Sequence, residues 1–109
     1  MTIAEIHNEE LKNWVLAHPL AVLEFSASWC APCQRLEKHM LTLSTKYQDV
    51  AFGRVNVEEE EKLAQEFEIR SVPAVMIIRD GIIVYAETGA LTEEGLEDLL
   101  QRAHALDVR

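Results

Sequence analysis

Apolar runs rich in β-branched and aromatic residues alternate along this chain with segments of helical periodicity, and that order constrains the fold more than any other feature. The runs are Leu20 to Ala27, Val50 to Val57, and Ala74 to Ile78 followed by Ile82 to Ala86. They read as buried strands. A strand that is apolar on both faces has to be covered on both, and the material that can cover it is the helical segments in between. Asp80-Gly81 between the last two runs marks a tight hairpin, because glycine accepts the positive φ that such turns need. Strands four and five are therefore expected to be antiparallel.

Asn8 followed by Glu9 and Glu10 predicts a capped helix with acids at the positive end of its dipole, an apolar face of Leu11, Trp14 and Val15, and an end near Pro19. After Cys33, the set Leu36, Met40, Leu43 and Tyr47 falls on one side of a long helix. Glu58 to Phe67 suggests a third helix, with Glu58 to Glu61 as its solvated first turn. The last begins at Thr92 and presents Leu96, Leu99, Leu100 and Ala103. With a short strand or coil ahead of the first helix, the expected class is α/β: a mixed sheet of four to five strands with helices on both faces. At 109 residues the chain has room for one domain of ordinary size, expected to span 1–109.

Charge narrows the function. Ten Lys and Arg oppose 19 Asp and Glu, for a net charge of −9. Binding to nucleic acid or to an anionic membrane depends on clustered cations and is not expected. The excess is local, since residues 1–57 carry six acidic and five basic side chains and residues 58–109 carry thirteen and five. Solubility or partner selection would both account for it. No apolar run approaches the ~20 residues that span a bilayer. The N-terminal segment lacks a secretory pattern, so a cytoplasmic protein is expected.

The two cysteines, Cys30 and Cys33, form a Cys-x-x-Cys pair where a strand-like run gives way to a helix. A zinc site of the ribbon type needs four ligands, and the remaining candidates are scattered histidines at 7, 18, 39 and 104, so no metal site is expected. Two inert buried thiols are the plain alternative. Against it, the first turn of a helix leaves N–H groups unpaired, and these with the dipole favour a thiolate on Cys30. Pro32 suits that first turn, where its missing N–H costs nothing. The pair reads as redox-active, with Cys30 beside Trp29 as the accessible nucleophile and Cys33, one turn in, as the buried resolving thiol. Glu24 is the ionisable residue in the run Leu20 to Ala27. Desolvation would raise its pKa and suit it to exchange protons with Cys33. Alternation alone leaves open whether it faces the interior or solvent.

The segment Phe25-Ser-Ala-Ser-Trp-Cys-Ala-Pro-Cys33 resembles the active-site strand and loop of the thioredoxin family, and Ile69-Arg-Ser-Val-Pro73 resembles its cis-proline loop. Arg79-Asp-Gly81 and Thr88-Gly-Ala-Leu91 match as well, so the similarity runs from about residue 5 to the C-terminus. The resemblance implies the thioredoxin fold and protein-disulfide reduction through a Cys30–Cys33 disulfide, with no bound cofactor. It places Cys30 and Cys33 as nucleophile and resolving thiol, and Glu24 where the family has a buried Asp, with Arg54 as the basic residue nearby. Pro73 is expected to be cis. Trp29, Ala31, Pro32, Val72, Pro73, Gly89 and Ala90 are expected to form a flat substrate-binding face, Val72 through its backbone. Implied partners are protein disulfides and an NADPH-dependent thioredoxin reductase acting on a monomer. A protein dedicated to one partner, or a binding module with incidental thiols, are the alternatives. Four positions depart from the family pattern: Glu24, Ser26 in place of tryptophan, Ala31 in place of glycine, and Lys38 in place of a helix proline.

Overall fold

The computed structural model describes residues 3–106. Its elements are β1 (Ala4–Glu5), α1 (Asn8–Ala17), β2 (Leu20–Ser26), α2 (Ala31–Lys46), β3 (Ala51–Asn56), α3 (Glu61–Glu66), β4 (Ala74–Arg79), β5 (Ile82–Thr88) and α4 (Glu93–Ala105). They build one five-stranded mixed sheet in the order β1-β3-β2-β4-β5. β3 runs parallel to β1 and β2, whereas β4 is antiparallel to β2 and β5 to β4. This is the thioredoxin fold, as the sequence implies.

β2 is the centre, and all seven of its residues are buried. Its alternate side chains enter two separate cores. Val22 packs with Leu36, Met40 and Leu43 of α2 and with Leu96 and Leu100 of α4. Leu23 and Phe25 pack on the other face with Leu63 of α3, bordered by Leu11, Trp14 and Val15 of α1. The predicted helical faces thus meet the sheet from opposite sides.

Asp80 and Gly81 both take positive φ, 51° and 80°, as a two-residue hairpin turn requires. Thr92 caps α4, its hydroxyl accepting from Gly95 N–H at 3.0 Å. At the far end of that helix Arg79 donates to the carbonyls of Ala103 and His104 at 2.7 and 2.6 Å, adding to the Leu106 N–H that Ala103 also accepts and helping to satisfy the terminal oxygens.

Three expectations need correction. β5 is an edge strand with Ile82 and Ile83 exposed, while its half-buried Val84 and Tyr85 pack against the core. The cap of α1 is His7, not Asn8, since the Asn8 N–H is taken by the distant Glu60 carboxylate at 3.0 Å. α3 begins at Glu61, because Asn56 collects the N–H groups of Glu58, Glu59 and Glu60 in a turn ahead of it. Glu58 and Glu60 are accordingly bonded residues, not a solvated first helical turn.

Gly53 of β3 lies under the Trp14 ring, where a Cβ would come within 2.8 Å of two ring carbons. Glycine in a strand interior ordinarily weakens it, yet here its absent side chain is what lets α1 reach the sheet. Gly53→Ala is expected to destabilise the protein by about 1–3 kcal/mol, the usual range for overpacking. Urea unfolding measures this, and a Trp14→Leu background should lessen the penalty.

Candidate active site

β2 ends at Ser26, the chain turns through Ala27 to Trp29, and Cys30 becomes the N-cap of α2 with extended backbone. Its N–H donates to the Ala27 carbonyl at 3.2 Å. Ala31 and Pro32 open the helix, and Cys33 follows one turn in. Cys30 and Cys33 are joined by a disulfide across a Cα separation of 5.2 Å. The Cys33 N–H points at Cys30 Sγ at 3.2 Å. Cys30 Sγ therefore sits against open N–H groups at the positive end of a sixteen-residue helix, a setting that favours its thiolate once the bond is opened.

Cys30 is less accessible than expected. It is 2% exposed and Cys33 is fully buried, because Ala27, Val57 and Val72 pack around the pair. Exposure is displaced onto the neighbours. Trp29 is 71% exposed, and Ala31, Gly89 and Ala90 are also at the surface. Pro32 and Val72 are half-buried, while Pro73 is buried. The Val72–Pro73 peptide bond is cis. The Pro73 carbonyl accepts the Gly89 N–H at 2.8 Å, which joins the Gly89-Ala90 segment to the loop that covers the disulfide. From the other side, the Glu58 carboxylate accepts from Ser28 N–H at 3.0 Å and Ser28 Oγ at 2.9 Å.

Glu24 has no solvent exposure, and neither carboxyl oxygen has a hydrogen-bond partner among the described residues. Alternation puts it on the same face of β2 as Val22, beneath α2, which decides the question its sequence position left open. Burial, reinforced by the nearby Glu37 carboxyl, pushes its pKa up to about 10. Arg54 stands opposite it in the β2–β3 register and pulls the other way. That pull is weakened by the guanidinium's other contacts: Nη1 donates to Glu37 Oε1 at 2.5 Å, and Nε and Nη2 donate to Glu5. Glu24 is thus a neutral acid at ordinary pH.

Beside it lies a polar cavity of about 200 Å³ whose lining includes Ser26, Gln34, Glu37, Arg54, Asn56 and Glu5. Ser26 Oγ donates to Glu37 Oε2 at 2.9 Å, so both oxygens of Glu37 are held. Glu37, Glu5 and Glu58 were not among the expected site residues. For Glu37 a signal was present: four residues beyond Cys33, it shares that residue's side of the helix. Among the described residues, no group of three or more His, Cys, Asp or Glu side chains is placed to hold a metal ion.

The raised pKa gives a sign to the pH dependence of stability. The folded acid keeps its proton up to about pH 10, whereas an unfolded chain loses it near 4.5. Unfolding therefore releases a proton throughout that window, and stability falls as pH rises, by at most ~1.4 kcal/mol per pH unit. Urea midpoints of the oxidised protein should drop between about pH 6 and pH 9, inside that window. Glu24→Gln should remove most of the drop; parallel curves would mean that Glu24 is ionised in the fold.

With this geometry in place, the comparisons with known proteins are specific. The family described as Thioredoxin matches residues 2–102. A protein of Streptomyces coelicolor described as putative thioredoxin 2 is 34% identical over 104 residues, covering 95% of this chain and 78% of its own length. Among solved structures, a mutant thioredoxin from Halobacterium salinarum superposes with a TM-score of 0.88 at 30% identity, covering 95% of this chain and 92% of its own. A second, from work on thiol resolution in a yeast mitochondrial 1-Cys peroxiredoxin via glutathione and thioredoxin systems, has a TM-score of 0.84 at 27% identity, with 93% and 95% covered.

Proposed function

The chain belongs to the thioredoxin family, and from that premise we propose how its own residues divide the work of thiol–disulfide exchange. The supporting observation is the Cys30–Cys33 disulfide at the N-terminus of α2, walled by Val72 and flanked by the exposed Trp29. In the reduced protein the Cys30 thiolate attacks one sulfur of a protein disulfide. A mixed disulfide forms and the other substrate sulfur leaves as a thiolate. Cys33 then gives up its proton and attacks Cys30 Sγ, releasing the second substrate sulfur. Two electrons pass to the substrate, and the Cys30–Cys33 bond is restored.

Glu24 exchanges the proton with Cys33. Trp29, Ala31, Pro32, Val72, Gly89 and Ala90 form the face that receives the substrate segment, with Pro73 as its floor. An extended segment pairs with the backbone of Val72 in the manner of an added strand.

The chain works as a single domain and a monomer in the cytoplasm, as a general carrier in electron transport. An NADPH-dependent thioredoxin reductase restores its dithiol. The yeast work on peroxiredoxin resolution supports enzyme-borne disulfides of that kind as substrates here.

Insulin reduction with dithiothreitol as donor tests the assignment. Cys30→Ser should abolish turnover. Cys33→Ser should stall after the first attack and accumulate mixed disulfides. Many trapped proteins indicate a general reductase and a single one a dedicated function, while turnover retained by Cys30→Ser overturns the assignment of the nucleophile. Glu24→Leu should slow turnover far more than it harms the fold, since it removes a buried, unpartnered carboxyl.

A further inference from the structure

The state of Glu24 creates a difficulty for the exchange just described. Cys33 must lose a proton when it resolves the mixed disulfide, and a carboxyl that already carries one cannot accept another unless it passes its own onward. Glu24 is sealed from solvent with both oxygens unpartnered, so the onward acceptor has to be a protein group beside it. On β4 its register partner is the apolar Val75, and on β3 it is Arg54, a cation that can only donate. From α2 comes Glu37, paired with Arg54 through Oε1 and bonded by Ser26 through Oε2. Glu5 of β1 joins the cluster only through Arg54.

Glu37 is the carboxyl among these groups that both lines the polar cavity, which Glu24 does not reach, and acts on the ionisation of Glu24. We propose that Glu37 is a proton relay for the disulfide exchange, a positioning residue acting through Glu24 that carries its proton to and from the solvent-lined cavity.

The step balances without any outside reagent but water. As Cys33 Sγ attacks the mixed disulfide, its proton passes to one oxygen of Glu24. The proton Glu24 already held passes from its other oxygen to Glu37, and Glu37 then yields one to water in the cavity. Glu24 ends neutral, as it began. Reduction of the Cys30–Cys33 bond runs the same path inward. Arg54 holds one oxygen of Glu37 in place and Ser26 the other. Ser26 thereby gains a reason to be small and polar where the family pattern has a tryptophan, because a bulky ring there would occupy the space beside Glu37.

This inference rests on the proposed exchange between Glu24 and Cys33, and the test separates the two. The readout is the lifetime of the mixed disulfide between the reduced protein and a peptide disulfide, followed by rapid acid quenching and mass spectrometry. Glu37→Gln, nearly isosteric and still able to accept from Ser26, should lengthen that lifetime about tenfold in dilute buffer. That is less than the roughly hundredfold a direct general acid or base supplies, since stray water can replace a relay in part. Added imidazole, a small proton carrier, should restore the rate, and Glu37→Asp should stay within a few-fold of the wild type.

Glu24→Leu should be slow and deaf to imidazole, and adding Glu37→Gln to it should slow it no further. A normal lifetime in Glu37→Gln beside a slow Glu24→Leu sinks the relay and leaves Glu24 its role. A normal lifetime in Glu24→Leu removes both. A slow Glu37→Gln that imidazole does not rescue makes Glu37 merely structural and overturns the proposal. If Glu37→Gln does not fold, Glu37→Ser is judged by the same two readings.

Discussion

Complete burial of β2 is the constraint on which the rest of the molecule depends. A strand enclosed along its whole length needs apolar helices on both faces and paired neighbours on both edges, and each requirement is met by a different part of the chain. Because the strand is fixed from end to end, the residue that follows it is fixed too. The chain leaves β2 at Ser26 and within a few residues enters α2, so Cys30 is delivered to a helix terminus by the packing of everything upstream. The reactive bond inherits its position from the core and not from a flexible loop.

That same strand carries the one feature the core does not want. Glu24 is the ionisable residue of a strand whose only other polar side chain is Ser26, and its neutral state is how the fold tolerates it, since an isolated buried charge would cost far more than a buried acid. Arg54 joins β1, β3 and α2 through Glu5 and Glu37, and so charges from three elements meet at the rim of the cavity without entering the interior.

Much of this was legible in the sequence because it rests on local pattern. Apolar runs rich in β-branched and aromatic residues placed β2, β3 and β4, period-3.6 patterning placed α2 and α4, and Asp80-Gly81 and Thr92 declared a turn and a cap through their own chemistry. Cys30, Pro32 and Cys33 announced a helix start by the same means. What stayed hidden depends on partners far away in the chain. Glu60 caps α1 from 52 residues on, and Arg54 binds Glu37 and Glu5 across 17 and 49 positions. Ile82 and Ile83 look like core residues in the sequence, and their exposure follows from the place of β5 at the edge of the sheet. The burial of Cys30 follows from Val57 and Val72 closing over it, which no spacing within the loop reveals.

The tie between Ser28 and Glu58 has a consequence for encounter rates. It fixes the loop bearing Trp29 to the opening of the chain's acidic half, where Glu58, Glu59 and Glu61 all stand exposed within a few residues of one another. A molecule approaching Trp29 therefore meets negative potential along one flank before any contact forms. Such a potential attracts and orients a basic surface and repels an acidic one, to a degree that salt diminishes. Charge around the site thus acts on encounter at a distance, ahead of any contact at sulfur.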